Sequence, residues 1–137
     1  MAFSYLSRRE YGQIELFNKL KQYSADEGMI SQVLQELVDK GYLSDLRYIK
    51  GYLARKSNKY GLLKLKYDLL QKVSDVELIN EVVKEANLDE VAQATQILIK
   101  KFGLIAKTSD DKFKQTKFLT SRGFSFDIVR QVFSREC

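Results

Sequence analysis

Three pairs of adjacent cations, Arg8-Arg9, Arg55-Lys56 and Lys100-Lys101, have the residue types and placement to bind anions. Each pair falls near the end of what reads as a helix. In a row they would form a track for phosphates or carboxylates. As separate cations near helix C-termini they would add a few tenths of a kcal/mol each, at most about 1 kcal/mol, by complementing the helix dipole. The sequence permits both readings. A second cluster, Lys112-Phe113-Lys114-Gln115-Thr116-Lys117-Phe118, interleaves bases with aromatics as nucleic-acid surfaces do. Helical spacing equally lets Phe118 and Leu119 turn inward and leaves Lys112, Lys114 and Lys117 outside. Arg122 and Arg130 follow in the same basic stretch.

Other chemistries lack their residues. The chain has no histidine, which excludes histidine acid–base catalysis, histidine metal ligands and serine triads that depend on histidine. No GxxxxGK[ST] or GxGxxG run is present to cradle a nucleotide. The adjoining carboxylates Asp89-Glu90 and Asp110-Asp111 suit helix starts. Cys137, the single cysteine, gives no intrachain disulfide or CxxC site, and it stands in the wrong place for a prenyl acceptor. The expectation is therefore a binding protein, not an enzyme, with no cofactor and no small-molecule substrate. It should have no membrane span and live in a reducing cytoplasm as a monomer, since nothing in the chain demands an oligomer.

Charge is unevenly spread. Residues 1–46 have a net charge of −2, residues 47–90 of +2 and residues 91–137 of +5. An acidic head and a basic tail suit a partner whose own charge varies, or one that includes phosphates.

The elements that must position these cations are repeated. Leu20, Leu69 and Leu119 lie 49 and then 50 residues apart. The same shifts carry Ile30 onto Ile79 and Val129, and Val33 onto Val82 and Val132. Tyr11-Gly12 recurs as Tyr60-Gly61. Such periodicity marks supersecondary units that bury their apolar faces against neighbours. Helical signals cover almost the whole chain, and proline is absent. Ile30, Val33, Leu34 and Leu37 make one apolar stripe. Ser24 with Glu27, and Ser74 with Glu77, read as capping boxes, as does Ser7 with Glu10; Ser125 keeps half of one. Ser44 or Asp45 can open the helix after Gly41, and the glycines at 41, 61, 103 and 123 fall at joints. The expected fold is all-α: three tandem three-helix repeats, about nine helices, stacked as an elongated array. The repeats should span residues 1–45, 46–88 and 89–137, with a short opening helix in the first.

Three segments stand out: Ser7-Arg8-Arg9-Glu10-Tyr11 leading to Leu20, Gly41-Tyr42-Leu43-Ser44-Asp45-Leu46-Arg47-Tyr48, and Phe118-Leu119-Thr120-Ser121-Arg122-Gly123-Phe124 with its continuation to Ile128. In this order they resemble the RecX family, regulators of the bacterial recombinase RecA. The resemblance implies tandem three-helix repeats lying in the groove of the RecA–DNA filament. It also implies inhibition of ATP hydrolysis, strand exchange and co-protease activity. Two departures stand out. Lys21-Gln22-Tyr23 and Gln71-Lys72-Val73 replace the family's Lys-Gly-Phe type turn, and Gln115 stands where the other repeats have Leu16 and Leu65. For a filament partner, Arg47, Tyr48 and Tyr52 are the preferred anchors, because arginine and aromatics dominate interfaces. The two tyrosines could instead pack in the core at i, i+4. Direct DNA binding by the basic last repeat, as a relative of the helix-turn-helix, is the competing expectation.

Overall fold

Residues 2–135 are described by a computed structural model, and Cys137 lies outside them. They form nine helices and no strand among the described residues. The first three are α1 (Ala2–Leu6), α2 (Gln13–Leu20) and α3 (Glu27–Asp39). Then come α4 (Asp45–Lys56), α5 (Leu62–Leu70) and α6 (Val76–Ala86), followed by α7 (Glu90–Phe102), α8 (Ser109–Ser121) and α9 (Phe126–Arg135). The opening helix is five residues long.

Capping explains where the helices start. The Asp26 side chain accepts from Met29 N at 3.1 Å and that of Asp75 from Leu78 N at 3.0 Å. The expected serine boxes at Ser24 and Ser74 therefore give way to the aspartates that follow them, whose charge also suits a helix N-terminus. Ser44 and Ser125 do cap, accepting from Arg47 N and Ile128 N. Ser7 closes α1 by donating to Ser4 O, so it opens no helix. Gly41, Gly103 and Gly123 all have positive φ at helix ends.

The chain divides into two compact units. One comprises Met1–Tyr52 with Asp68–Glu85, the other Leu53–Tyr67 with Ala86–Cys137. In the first unit Leu16 and Leu20 of α2 pack with Ile30, Leu34 and Leu37 of α3 and with Leu43. Val33, expected in that stripe, is exposed. In the second unit Val91, Ala94 and Leu98 of α7 join Leu119, Phe124, Val129 and Val132. Each fully buried aliphatic of this kind contributes roughly 1.5–3 kcal/mol.

Each unit contains one joint between sequence repeats, and the two joints match. In the first unit Ile14 N donates to Lys72 O at 3.0 Å, and Asp45 at the start of α4 accepts from Gln13 N at 2.9 Å. In the second, Leu63 N donates to Gly123 O at 3.1 Å, and Glu90 at the start of α7 accepts from Leu62 N at 3.0 Å. The second helix of one helix triplet thus has free N–H groups satisfied from the next triplet, whose opening helices start at Asp45 and Glu90. Glycine is required at both because the backbones approach so closely. A Cβ on Gly12 would lie 2.3 Å from Lys72 O, and one on Gly61 2.4 Å from Gly123 O.

Gln115 shows why the third repeat departs from leucine. Its side chain is buried, accepts from Ala106 N at 2.9 Å and donates to Leu104 O at 3.0 Å. One amide satisfies both polar groups of the loop between α7 and α8.

Candidate partner-binding cleft

Cations in the first unit are largely committed within the protein. Arg9 forks onto Glu15 at 2.9 and 3.2 Å and lies 3.7 Å from the Tyr11 ring centroid. The Glu15 hydrogen bond raises the Arg9 pKa above its ordinary value. Arg47 donates to Glu10 at 3.0 Å and to Gly41 O at 2.9 Å, so it braces the turn before α4. Tyr48, expected as an anchor, is only 4 % exposed and belongs to the core. Its i, i+4 neighbour Tyr52 stacks on it and donates to Asp68 at 3.0 Å. Arg8 is exposed in the turn after α1, and Arg55 and Lys56 end α4.

The second unit holds a different arrangement. Asn58 and Lys59 from the α4–α5 turn, Ile97, Lys100 and Lys101 of α7, Phe118 of α8 and Arg122 line a cleft of about 330 Å³. Lys100 and Lys101 are exposed in the last turn of α7, where cations also complement the helix dipole. Arg122 follows α8 and is held from three sides. Its Nη1 donates to Lys59 O at 3.3 Å, and its guanidinium lies 4.9 Å from the Phe118 centroid and 5.6 Å from that of Tyr60. Among the described residues, none of Lys59, Lys100, Lys101 and Arg122 has a carboxylate partner. The cleft thus gathers four cations, of which Arg122 is held in place, around Ile97 and Phe118, a composition suited to hold an anion.

Sequence reading found Lys100, Lys101 and Arg122 but missed Lys59 and Asn58. The available signal was their position just before the recurring Tyr60-Gly61. The remaining cations are dispersed: Lys112 lies over Phe133, Lys117 over Phe113, and Arg130 pairs with Asp127 one turn earlier. Lys114 is exposed on α8. Phe113 points outward at 65 % exposure, while Leu119 is fully buried. Among the described residues no group of histidine, cysteine or acidic side chains could hold a metal, and no helix is long and apolar enough to cross a membrane.

Comparison with known proteins gives these features a family. Residues 89–133 match the third three-helix domain of RecX. The chain is similar to "Regulatory protein RecX" of Leptothrix cholodnii, with 31 % identity over 96 % of this chain and 83 % of that relative. It is 38 % identical to the protein of the same name from Acinetobacter baylyi, over 98 % of this chain and 85 % of that one. A crystal structure of RecX from Lactobacillus salivarius shares the fold, with a TM-score of 0.81 and 22 % identity over 98 % of this chain and 90 % of that chain. The chain belongs to the RecX family of regulatory proteins.

Proposed function

We propose that this protein modulates the RecA recombinase, mainly as an inhibitor, by binding in the groove of the RecA–DNA filament. It would thereby limit ATP hydrolysis, strand exchange and co-protease activity in the cytoplasm, acting as a monomer. The observation that carries this reading is family membership across nearly the whole chain, at 96 % and 98 % coverage. The repeats at 1–45, 46–88 and 89–137 supply successive contact modules for neighbouring filament subunits. The cations Lys59, Lys100, Lys101 and Arg122, none with a carboxylate partner among the described residues, support a charged partner, and the lack of any histidine speaks against catalysis by the protein itself.

The test is the single-stranded-DNA-dependent ATPase of the cognate RecA, with this protein below stoichiometry. Strong inhibition well below one molecule per RecA is expected. No effect at excess would overturn the reading. Direct DNA binding is the second reading, favoured by the net charge of +5 in residues 91–137. It requires tight binding without recombinase that collapses between low and moderate salt, because released counterions drive phosphate contacts.

A further inference from the structure

The charged and the apolar residues of the second unit's cleft ask for different things from one ligand. Lys59, Lys100, Lys101 and Arg122 call for several negative charges close together, while Ile97 and Phe118 offer apolar contact between them. A phosphodiester chain answers the first demand and not the second. Its bases would need an aromatic face on which to stack. Phe118 has Arg122 over its ring and Phe102 against it edge-to-face at 5.4 Å. Tyr60 has Arg122 at 5.6 Å and Lys64 at 5.1 Å from its centroid. Each ring thus already carries a cation over its face, which a stacking base would have to displace, whereas an apolar side chain needs only the ring edge.

We propose that this cleft is a receptor for an acidic peptide segment that carries a bulky apolar side chain among its carboxylates. The volume of about 330 Å³ lies at the small end of ligand pockets and accommodates one such side chain with its flanking charges. The planar guanidinium of Arg122, already fixed by Lys59 O, matches a carboxylate bidentately, and the two neighbouring lysines of α7 add point charges. The joint beneath holds this geometry, since Gly61 N donates to Arg122 O at 2.8 Å. The inference deepens the reading of a protein-binding regulator and rests on it only for who supplies the segment.

The experiment is fluorescence anisotropy of a short labelled peptide of alternating Asp and Glu with one central Phe, titrated with the full chain and no recombinase. The Phe peptide is expected to bind about tenfold more tightly than its Ser counterpart, and more tightly than an oligothymidylate of matched length. Lys100→Ala with Lys101→Ala should weaken it at least about tenfold with an unchanged helical spectrum. Lys40→Ala with Lys84→Ala, the same charge change confined to the first unit, should leave it unaltered. Equal loss in both double variants, or equal affinity for the Phe and Ser peptides, overturns the proposal. Oligothymidylate binding more tightly than the peptide and depending on the same lysines overturns it in favour of a nucleic-acid site. Failure here with the ATPase inhibition intact removes the cleft alone. Peptide binding without ATPase inhibition removes the recombinase reading alone.

Discussion

Gly12 and Gly61 stand at the same point of their repeats, and each presses against the turn that ends the second helix of the following repeat. At the first joint the accepting carbonyl belongs to Lys72, which has ordinary negative φ; at the second it belongs to Gly123, with φ of 95°. The residue before it is the exposed, uncharged Gln71 in one case and Arg122 in the other. Both joints close, so a backbone carbonyl at the right place is what docking requires. The Arg122-Gly123-Phe124 turn adds something docking does not need: it aims a guanidinium into the cleft while its own carbonyl holds Gly61. The first joint is only a fastening, whereas the second also frames the cleft.

This contrast can be broken most severely at Gly123. Alanine there meets both a left-handed backbone and Lys64, whose Cβ and N would lie 2.4 and 2.7 Å from the new Cβ. Strain of about 1–3 kcal/mol from φ and a similar amount from overpacking should appear in urea unfolding. Lys72→Ala at the first joint should stay within about 1 kcal/mol, since Lys72 gives up only a contact of 3.8 Å with Glu15. Equal losses at the two sites would show that the joints are energetically alike. A smaller effect is expected from Gln115→Leu, which restores the residue type of the other repeats. It strands Ala106 N and Leu104 O, so unfolding should show a net loss of about 1–3 kcal/mol in spite of the added apolar area.

The smallest effect distinguishes the carboxylates. Burial raises the Asp45 pKa above 3.8, against the opposing hydrogen bonds from Gln13. The folded state then holds the proton more tightly than the unfolded one. This share of stability is present in acid and is lost as pH rises from 3.8 through the raised value. In Asp45→Asn that decline should vanish from a pH series of melting temperatures. Its persistence would assign the slope to another group.

Much of the fold was legible because helices are written locally. The stripe of Ile30, Leu34 and Leu37, the recurring Tyr-Gly pairs and the Gly41 stop sit in short windows of sequence. The misplaced caps at Ser24 and Ser74 show the limit of a motif, since a nearby aspartate offered a charged acceptor at a better place. Tyr48 and Tyr52 could not be told apart, because two aromatics one turn apart fit a core and a surface equally well. The cleft was half visible for a different reason. Lys100 and Lys101 advertise themselves as a pair, but Lys59 and Arg122 reach the same spot from distant segments. Gln115 looked like a flaw in the repeat because its partners are backbone atoms, which no side-chain pattern records.

The hydrogen bonds from Ile14 to Lys72 and from Leu63 to Gly123 have a kinetic meaning. Every helix here can form from neighbours in sequence, quickly and with little loop to close. The two joints must wait until segments far apart along the chain have met, which is the slow part of folding. Amide protons at Ile14 and Leu63 should therefore be protected later in refolding than those in the middle of α3 or α7. A circular-dichroism trace would report a helical chain before the Arg122 guanidinium had been brought to its place.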